Sequence, residues 1–149
     1  MVLETAACSG GGILFGEGGV SEMDPLLSVI IPAYNEETVI ADTIQVMNSV
    51  LEKLNVRREI LLIDDGSTDG TWNRIQKIAA QSGGAVKGIR FSRNFGKESA
   101  IFAGLAQCRG DAAVIMDCDR QHPPEKVAEM VQIWNGGKIA VVEGVKRSR

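Results

Sequence analysis

Glu59-Ile60-Leu61-Leu62-Ile63-Asp64-Asp65-Gly66-Ser67-Thr68-Asp69-Gly70 decides the fold. A short, continuous apolar run breaks at once into acidic, Gly and hydroxyl residues, which favour turns and helix starts. Trp72, Ile75, Ile78 and Ala79 follow at helical spacing. A strand that runs straight into a loop and then a helix is one half of a βαβ unit. The same unit recurs on both sides. Upstream, Leu27-Ser28-Val29-Ile30-Ile31 reads as a buried strand stopped by Pro32, with Ile40, Ile44, Met47, Leu51 and Leu54 on the helix behind it. Downstream, residues 85–91 form a third strand, the loop Ser92-Arg93-Asn94-Phe95-Gly96-Lys97 follows, and a small-residue helix runs to about Cys108. Residues 111–116 make a fourth strand, Pro123-Pro124 suits a helix start, and Ile139–Val145 is a fifth apolar run.

This alternation predicts an α/β domain with a mainly parallel sheet. Unbroken apolar strands are expected where helices cover both faces. Such sheets bind ligands beyond the carboxyl ends of their strands. The polar loops fall at that edge: residues 32–36, 64–70, 92–97 and 117–122. The opposite connections, such as Ser82-Gly83-Gly84 and Arg109-Gly110, read as plain links.

The chain has 149 residues, room for one domain, and a formal net charge of −3, which gives no hint of nucleic-acid binding. Its three cysteines, Cys8, Cys108 and Cys118, show no zinc-ligand spacing and suit a reducing cytosolic compartment. No stretch approaches the roughly 20 apolar residues of a membrane span. Residues 1–23, with Ser9-Gly10-Gly11-Gly12 and Gly16-Glu17-Gly18-Gly19, read as a flexible leader, Met23 as an alternative start, and residues 24–149 as the domain.

Asp117-Cys118-Asp119 closes the fourth strand. Two carboxylates this close require a positive partner, either a hard divalent cation or basic side chains; a cation held so commonly carries phosphate. Gln121 projects to the same side in an extended segment and is the third candidate ligand. Cys118 reads as a small filler. Of Asp64 and Asp65, one turns inward; it either shapes the turn or accepts hydrogen bonds from a nucleobase or ribose. Tyr34, in a loop, offers a ring to a base, and Glu36 either reaches the nucleoside or caps the next helix. Arg93 and Lys97 either neutralise a diphosphate or pair with Asp117 or Asp65. His122 is read as a loop former. Together the loops suggest a nucleoside diphosphate bridged to Mg²⁺ or Mn²⁺. The absence of a P-loop and of Gly-x-Gly-x-x-Gly after the first strand argues against an ATPase of that type and a dinucleotide dehydrogenase.

Residues 28–36 (Ser-Val-Ile-Ile-Pro-Ala-Tyr-Asn-Glu), 63–70 (Ile-Asp-Asp-Gly-Ser-Thr-Asp-Gly) and 117–119 resemble the family-2 glycosyltransferases of Rossmann-like GT-A fold. Arg93-Asn94-Phe95-Gly96-Lys97-Glu98 and residues 117–125 look like the polyprenyl-phosphate branch, which includes dolichol-phosphate mannosyltransferases and bactoprenol glucosyltransferases. The resemblance implies inverting, metal-dependent transfer from a UDP- or GDP-sugar to a lipid phosphate at the membrane surface, from the cytoplasmic side. It implies that Pro32, Tyr34, Glu36, Ile63 and Asp65 contact the nucleoside. Asp117, Asp119 and Gln121 would hold the metal and diphosphate, with Cys118 beside them, and Arg93 and Lys97 would meet phosphate or acceptor. Arg120 departs from the small or apolar residue frequent in the family. The family's acceptor-binding elements would follow the fifth strand, so the chain reads as the nucleotide-binding part. A nucleotide-sugar-binding module without turnover is the alternative. A phosphoacceptor receiver is a third reading, disfavoured because its acidic pair would follow the first strand.

Overall fold

Alternate residues of each apolar run turn to opposite faces of one sheet. In a computed structural model of the chain, which describes residues 2–4, 25–54, 56–118, 125–135 and 141–143, Leu27, Val29, Ile31 and Ala33 of strand β2 (Leu26–Ala33) join one core. Ile30, between them, joins the other. Strand β3 (Arg57–Asp64) divides in the same way, Ile60 and Leu62 to the first core and Leu61 and Ile63 to the second. Helices α1 (Ile40–Glu52), α2 (Thr71–Gln81) and α4 (Glu125–Asn135) bury Met47, Ile75 and Val131 in the first core. Helix α3 (Lys97–Gln107) covers the second, through Ala100 and Leu105. It lies close because Gly104 faces the sheet: a Cβ there would stand 2.4 Å from Ile30 Cγ2.

Strands β4 (Val86–Arg90) and β5 (Ala112–Ile115) complete a parallel set with β2 and β3. The sheet order is β4-β3-β2-β5-β1-β6, where β1 is Val2–Glu4 and β6 is Val141–Glu143. Strand β1 pairs antiparallel with both β5 and β6, so β6 runs in the direction of the parallel set. Three residues assigned above to a flexible leader therefore add an antiparallel strand inside the sheet. The rest of that leader, Met23 included, lies outside the described residues, as do Asp119, Arg120, Gln121 and His122.

Pro32 does not stop its strand. Strand β2 continues through it, opposite Ile63, and ends at Ala33. Pairing with β5 ends at Ile30, whose carbonyl accepts from the Met116 N–H at 3.1 Å. Two residues on, Pro32 turns its edge without an N–H to that same side, where no β5 ladder remains to miss a donor. The two strands part here, at the point where the chain order reverses between β3 on one side and β5 on the other.

At the amino edge a buried carboxylate ties three elements together. Glu59, 3% exposed, accepts from Ser28 Oγ at 2.7 Å and from the Arg109 N–H, with Lys87 Nζ at 3.3 Å. Burial pushes this carboxyl up, but the bonds from Ser28, Arg109 and Lys87 outweigh it and hold it below the usual glutamate range. A depressed folded pKa stabilises above the unfolded value of about 4.3 and loses that contribution as pH falls through the folded value. Wild type is thus expected to lose more stability between neutral pH and about pH 3.5 than Glu59→Gln does. Urea unfolding at both pH values measures the difference; equal losses would remove Glu59 from the acid response.

Candidate functional site

Beyond the parting ends of β2 and β5 lies a cavity of about 270 Å³. Pro32 and Ala33 line it from β2, Tyr34 and Glu36 from the loop that follows, and Asp65 from the end of β3. Asn94, Gly96 and Lys97 close it from the start of α3, and Asp117 and Cys118 from the end of β5. Residues from four separate loops thus meet at the reversal point of the sheet, where open α/β folds place their ligands.

The first two loops are laced together. Asn35 adopts φ 55°, a left-handed conformation that Asn tolerates better than most residues. There its N–H donates to Ser67 Oγ at 2.9 Å and its Oδ1 accepts from the Thr68 N–H at 2.9 Å. The Glu36 N–H donates to Thr71 Oγ1, and the Gly70 N–H to Glu37 Oε2. Asp69 accepts from the Thr71 N–H and hydroxyl and from the Glu37 N–H. Desolvation opposes its ionisation, but these bonds outweigh it and hold the carboxyl below the usual aspartate range. The Glu36 backbone carbonyl starts α1 by accepting from Val39 and Ile40 N–H groups, while its side chain lines the cavity. Tyr34 is left 45% exposed at the rim.

Asp64 and Asp65 separate in role. Asp64 is fully buried, accepts from the Ser67 N–H at 3.0 Å, and has Arg90 Nε 3.1 Å from Oδ2. That approach lies off the hydrogen-bonding direction, leaving a charge contact rather than a bond. Asp65 turns into the cavity. Its two oxygens accept from the Phe95 N–H at 2.7 Å and the Gly96 N–H at 3.0 Å, fixing the loop that launches α3. A carboxylate offers about four acceptor directions, so these two bonds leave capacity for a ligand.

Lys97, the first residue of α3, places Nζ 2.5 Å from Asp117 Oδ1. Both residues line the cavity and are partly open to solvent, which puts the pair at its mouth. Arg93 does not line the cavity; its guanidinium carbon sits 4.1 Å above the Phe95 ring, which meets Phe91 edge-on. Ile63 does not line the cavity either. It is fully buried in the core beneath α3, so its side chain is withheld from a ligand. Cys118 is buried in the opposite core while lining the cavity wall, and its carbonyl accepts from Thr43 Oγ1 at 3.0 Å. Sequence reasoning assigned no role to Asn94 or Gly96, although both lie in the loop it placed at this edge.

Among the described residues, no three His, Cys, Asp or Glu side chains gather around one point. Asp117 is the described member of the expected metal set. Its carboxylate already faces a cation, the Lys97 ammonium, and oxygen donors of this kind fit a hard divalent ion.

The fold and this edge define an α/β domain of GT-A architecture. The profile of Glycosyl transferase family 2 matches residues 28–148, and the chain belongs to that family. The undecaprenyl-phosphate 4-deoxy-4-formamido-L-arabinose transferase of Aeromonas hydrophila is 36% identical over 124 residues, 83% of this chain and 38% of that protein. The Pseudomonas aeruginosa PAO1 protein of the same name is 38% identical over 107 residues, 72% of this chain and 32% of its own length. The chain therefore spans roughly a third of these relatives. Among solved structures, a Pyrobaculum calidifontis mannosyltransferase in complex with GDP-Man and Mn²⁺ aligns with TM-score 0.63 at 26% identity, covering 76% of this chain and 33% of that one. The glucosyl-3-phosphoglycerate synthase of M. tuberculosis aligns with TM-score 0.58 at 30% identity, covering 76% and 42%.

Proposed function

We propose that this chain is the nucleotide-binding part of a glycosyltransferase that moves a sugar from a UDP- or GDP-sugar to a polyprenyl phosphate. The cavity at the β2/β5 reversal carries the reading, because one small space collects groups suited to the base, the nucleoside and the diphosphate of such a donor. Tyr34 supplies a ring for the base, Glu36 and Asp65 acceptors for nucleoside N–H and O–H groups, and Lys97 and Asp117 the charges that manage a diphosphate. The relatives named for undecaprenyl phosphate support the lipid acceptor. The mannosyltransferase solved with GDP-Man and Mn²⁺ supports a nucleotide donor and a divalent ion.

Asp117, with Asp119 and Gln121, would hold Mg²⁺ or Mn²⁺. When bound, that ion would act as a Lewis acid toward the charge growing on the departing diphosphate. The chain's own residues do the rest: Asp65 fixes the start of α3, and the laced 34–37 and 67–71 loops hold the nucleoside wall rigid. Inversion follows if acceptor phosphate attacks from the face opposite the leaving group. A phosphate anion is already a competent nucleophile, so no general base is demanded. No described helix is long and apolar enough to cross a membrane; we place the reaction at the cytoplasmic membrane surface on the chemistry of the acceptor alone.

The test is calorimetric titration of the chain with UDP- and GDP-sugars, with and without Mn²⁺, followed by assay of nucleotide release with polyprenyl phosphate. Metal-dependent binding is expected. Its absence in the folded chain would refute the reading, and binding without release would reduce it to donor recognition. Tyr34→Ala is expected to weaken nucleotide binding roughly tenfold, the effect of removing one base–aromatic stack. Unchanged affinity would take Tyr34 out of the base site.

A further inference from the structure

The ion pair at the cavity mouth sits where a cation and a diphosphate would both need to go. Lys97 Nζ lies 2.5 Å from Asp117 Oδ1, with the lysine side chain 56% and the aspartate side chain 29% exposed. Pairs this open to water are weakly held, so a divalent ion can displace the ammonium from the carboxylate. The base of Lys97 is fixed: the preceding two N–H groups are locked to Asp65, which shares the cavity. Its four-carbon stem is flexible and carries a compact charge. An ammonium expelled from Asp117 thus remains beside the same cavity.

We propose that Lys97 is an exchange residue: it neutralises Asp117 in the cation-free protein, yields that carboxylate to the divalent ion, and transfers its own charge to the donor's diphosphate. Lys97 therefore opposes binding of the ion alone and favours binding of ion and nucleotide together. This gives the site an order, since the full cation affinity appears only once a diphosphate takes up the displaced ammonium. The second half of the exchange rests on the nucleotide-sugar reading above; the first half, competition at Asp117, does not. A lysine that only binds phosphate would leave the affinity for the ion alone unchanged. A lysine that only braces the fold would lower stability when removed and leave both affinities as they are.

The experiment titrates the full chain with Mn²⁺ alone, following the paramagnetic resonance of the free ion, and then with UDP at saturating Mn²⁺ by calorimetry. Lys97→Met is expected to bind Mn²⁺ roughly 2- to 5-fold more tightly than wild type, the effect of removing a competitor of exposed-ion-pair strength. It is expected to bind UDP about 10-fold more weakly, from loss of one charge-assisted contact. Lys97→Arg should restore the competition for Mn²⁺. Equal or weaker Mn²⁺ affinity in Lys97→Met, or no Mn²⁺ binding by either protein, would overturn the exchange. If Mn²⁺ affinities differ as expected but neither protein binds UDP, the nucleotide reading fails while the competition at Asp117 stands. If both bind UDP and their Mn²⁺ affinities match, the nucleotide reading stands and the exchange falls.

Discussion

Asp117→Ala is expected to abolish metal-dependent nucleotide binding and to lower any sugar transfer by about three orders of magnitude, the scale of losing several kcal/mol of metal-ion stabilisation. The reasons are local. Asp117 lies two residues past the end of β5, lines the cavity, and presents a carboxylate to the positive charge of Lys97. Removing it takes away the carboxylate paired with the Lys97 ammonium, so the vacated space holds a cation far less well. The fold should persist. The Asp117 side chain is 29% exposed and its ion pair is of the weak, solvent-open kind, so unfolding free energy should change by less than about 1 kcal/mol. Circular dichroism and urea unfolding check the fold; calorimetry with UDP and Mn²⁺ checks the site. Retained metal-dependent affinity in a folded Asp117→Ala protein would dismiss this carboxylate as the ligand. Asp117→Asn refines the result, because it keeps an oxygen and the shape while losing the charge: binding restored by Asn would mean that geometry, not charge, matters there.

The parallel core was readable because its signals are local. Continuous apolar runs, each ending in a polar loop, identified β2 to β5, and helical spacing identified what lies between them. Which residue of each run faces which core was not readable, since Ile60, Leu61, Leu62 and Ile63 are all apolar and only packing against α3 or the opposite helices distinguishes them. Strand β1 was missed because three residues show no period; its place is set by β5 and β6, more than a hundred residues away along the chain. The site divides in the same way. Tyr34, Glu36, Asp65, Lys97, Asp117 and Cys118 could be assigned to one edge from the order of strands and loops, and they do line one cavity. The inward choice of Asp65 over Asp64 could not, because Arg90 on a neighbouring strand draws Asp64 aside. Arg93 and Lys97 looked equivalent as two cations flanking Asn94-Phe95-Gly96. The Phe95 ring separates them: it draws the Arg93 guanidinium over its face, and only Lys97 reaches the mouth.

Gly66→Ala is expected to cost about 2–4 kcal/mol of stability, an overpacking cost added to the left-handed backbone cost, and to weaken nucleotide binding as well. Gly66 has φ 70°, and a Cβ built there would stand 2.3 Å from the Arg93 carbonyl carbon, 2.6 Å from the Asn94 nitrogen and 2.7 Å from the Arg93 Cα. All three are backbone atoms, so no side-chain rotation relieves the clash; the 92–96 segment itself must move. That segment carries the Phe95 and Gly96 N–H groups bonded to Asp65 and leads into Lys97. One methyl group would therefore pull apart the two walls of the cavity. Gly83→Ala separates the causes. Gly83 has φ 61° but nothing within 4 Å of its Cβ direction, so it incurs only the left-handed backbone cost, about 1 kcal/mol. Urea unfolding of both variants gives the steric part by difference, and UDP titration with Mn²⁺ should find the site intact in Gly83→Ala and impaired in Gly66→Ala. If the two variants lose equal stability, the contact between the 64–70 and 92–97 loops is not what requires glycine at position 66, and backbone conformation alone explains it.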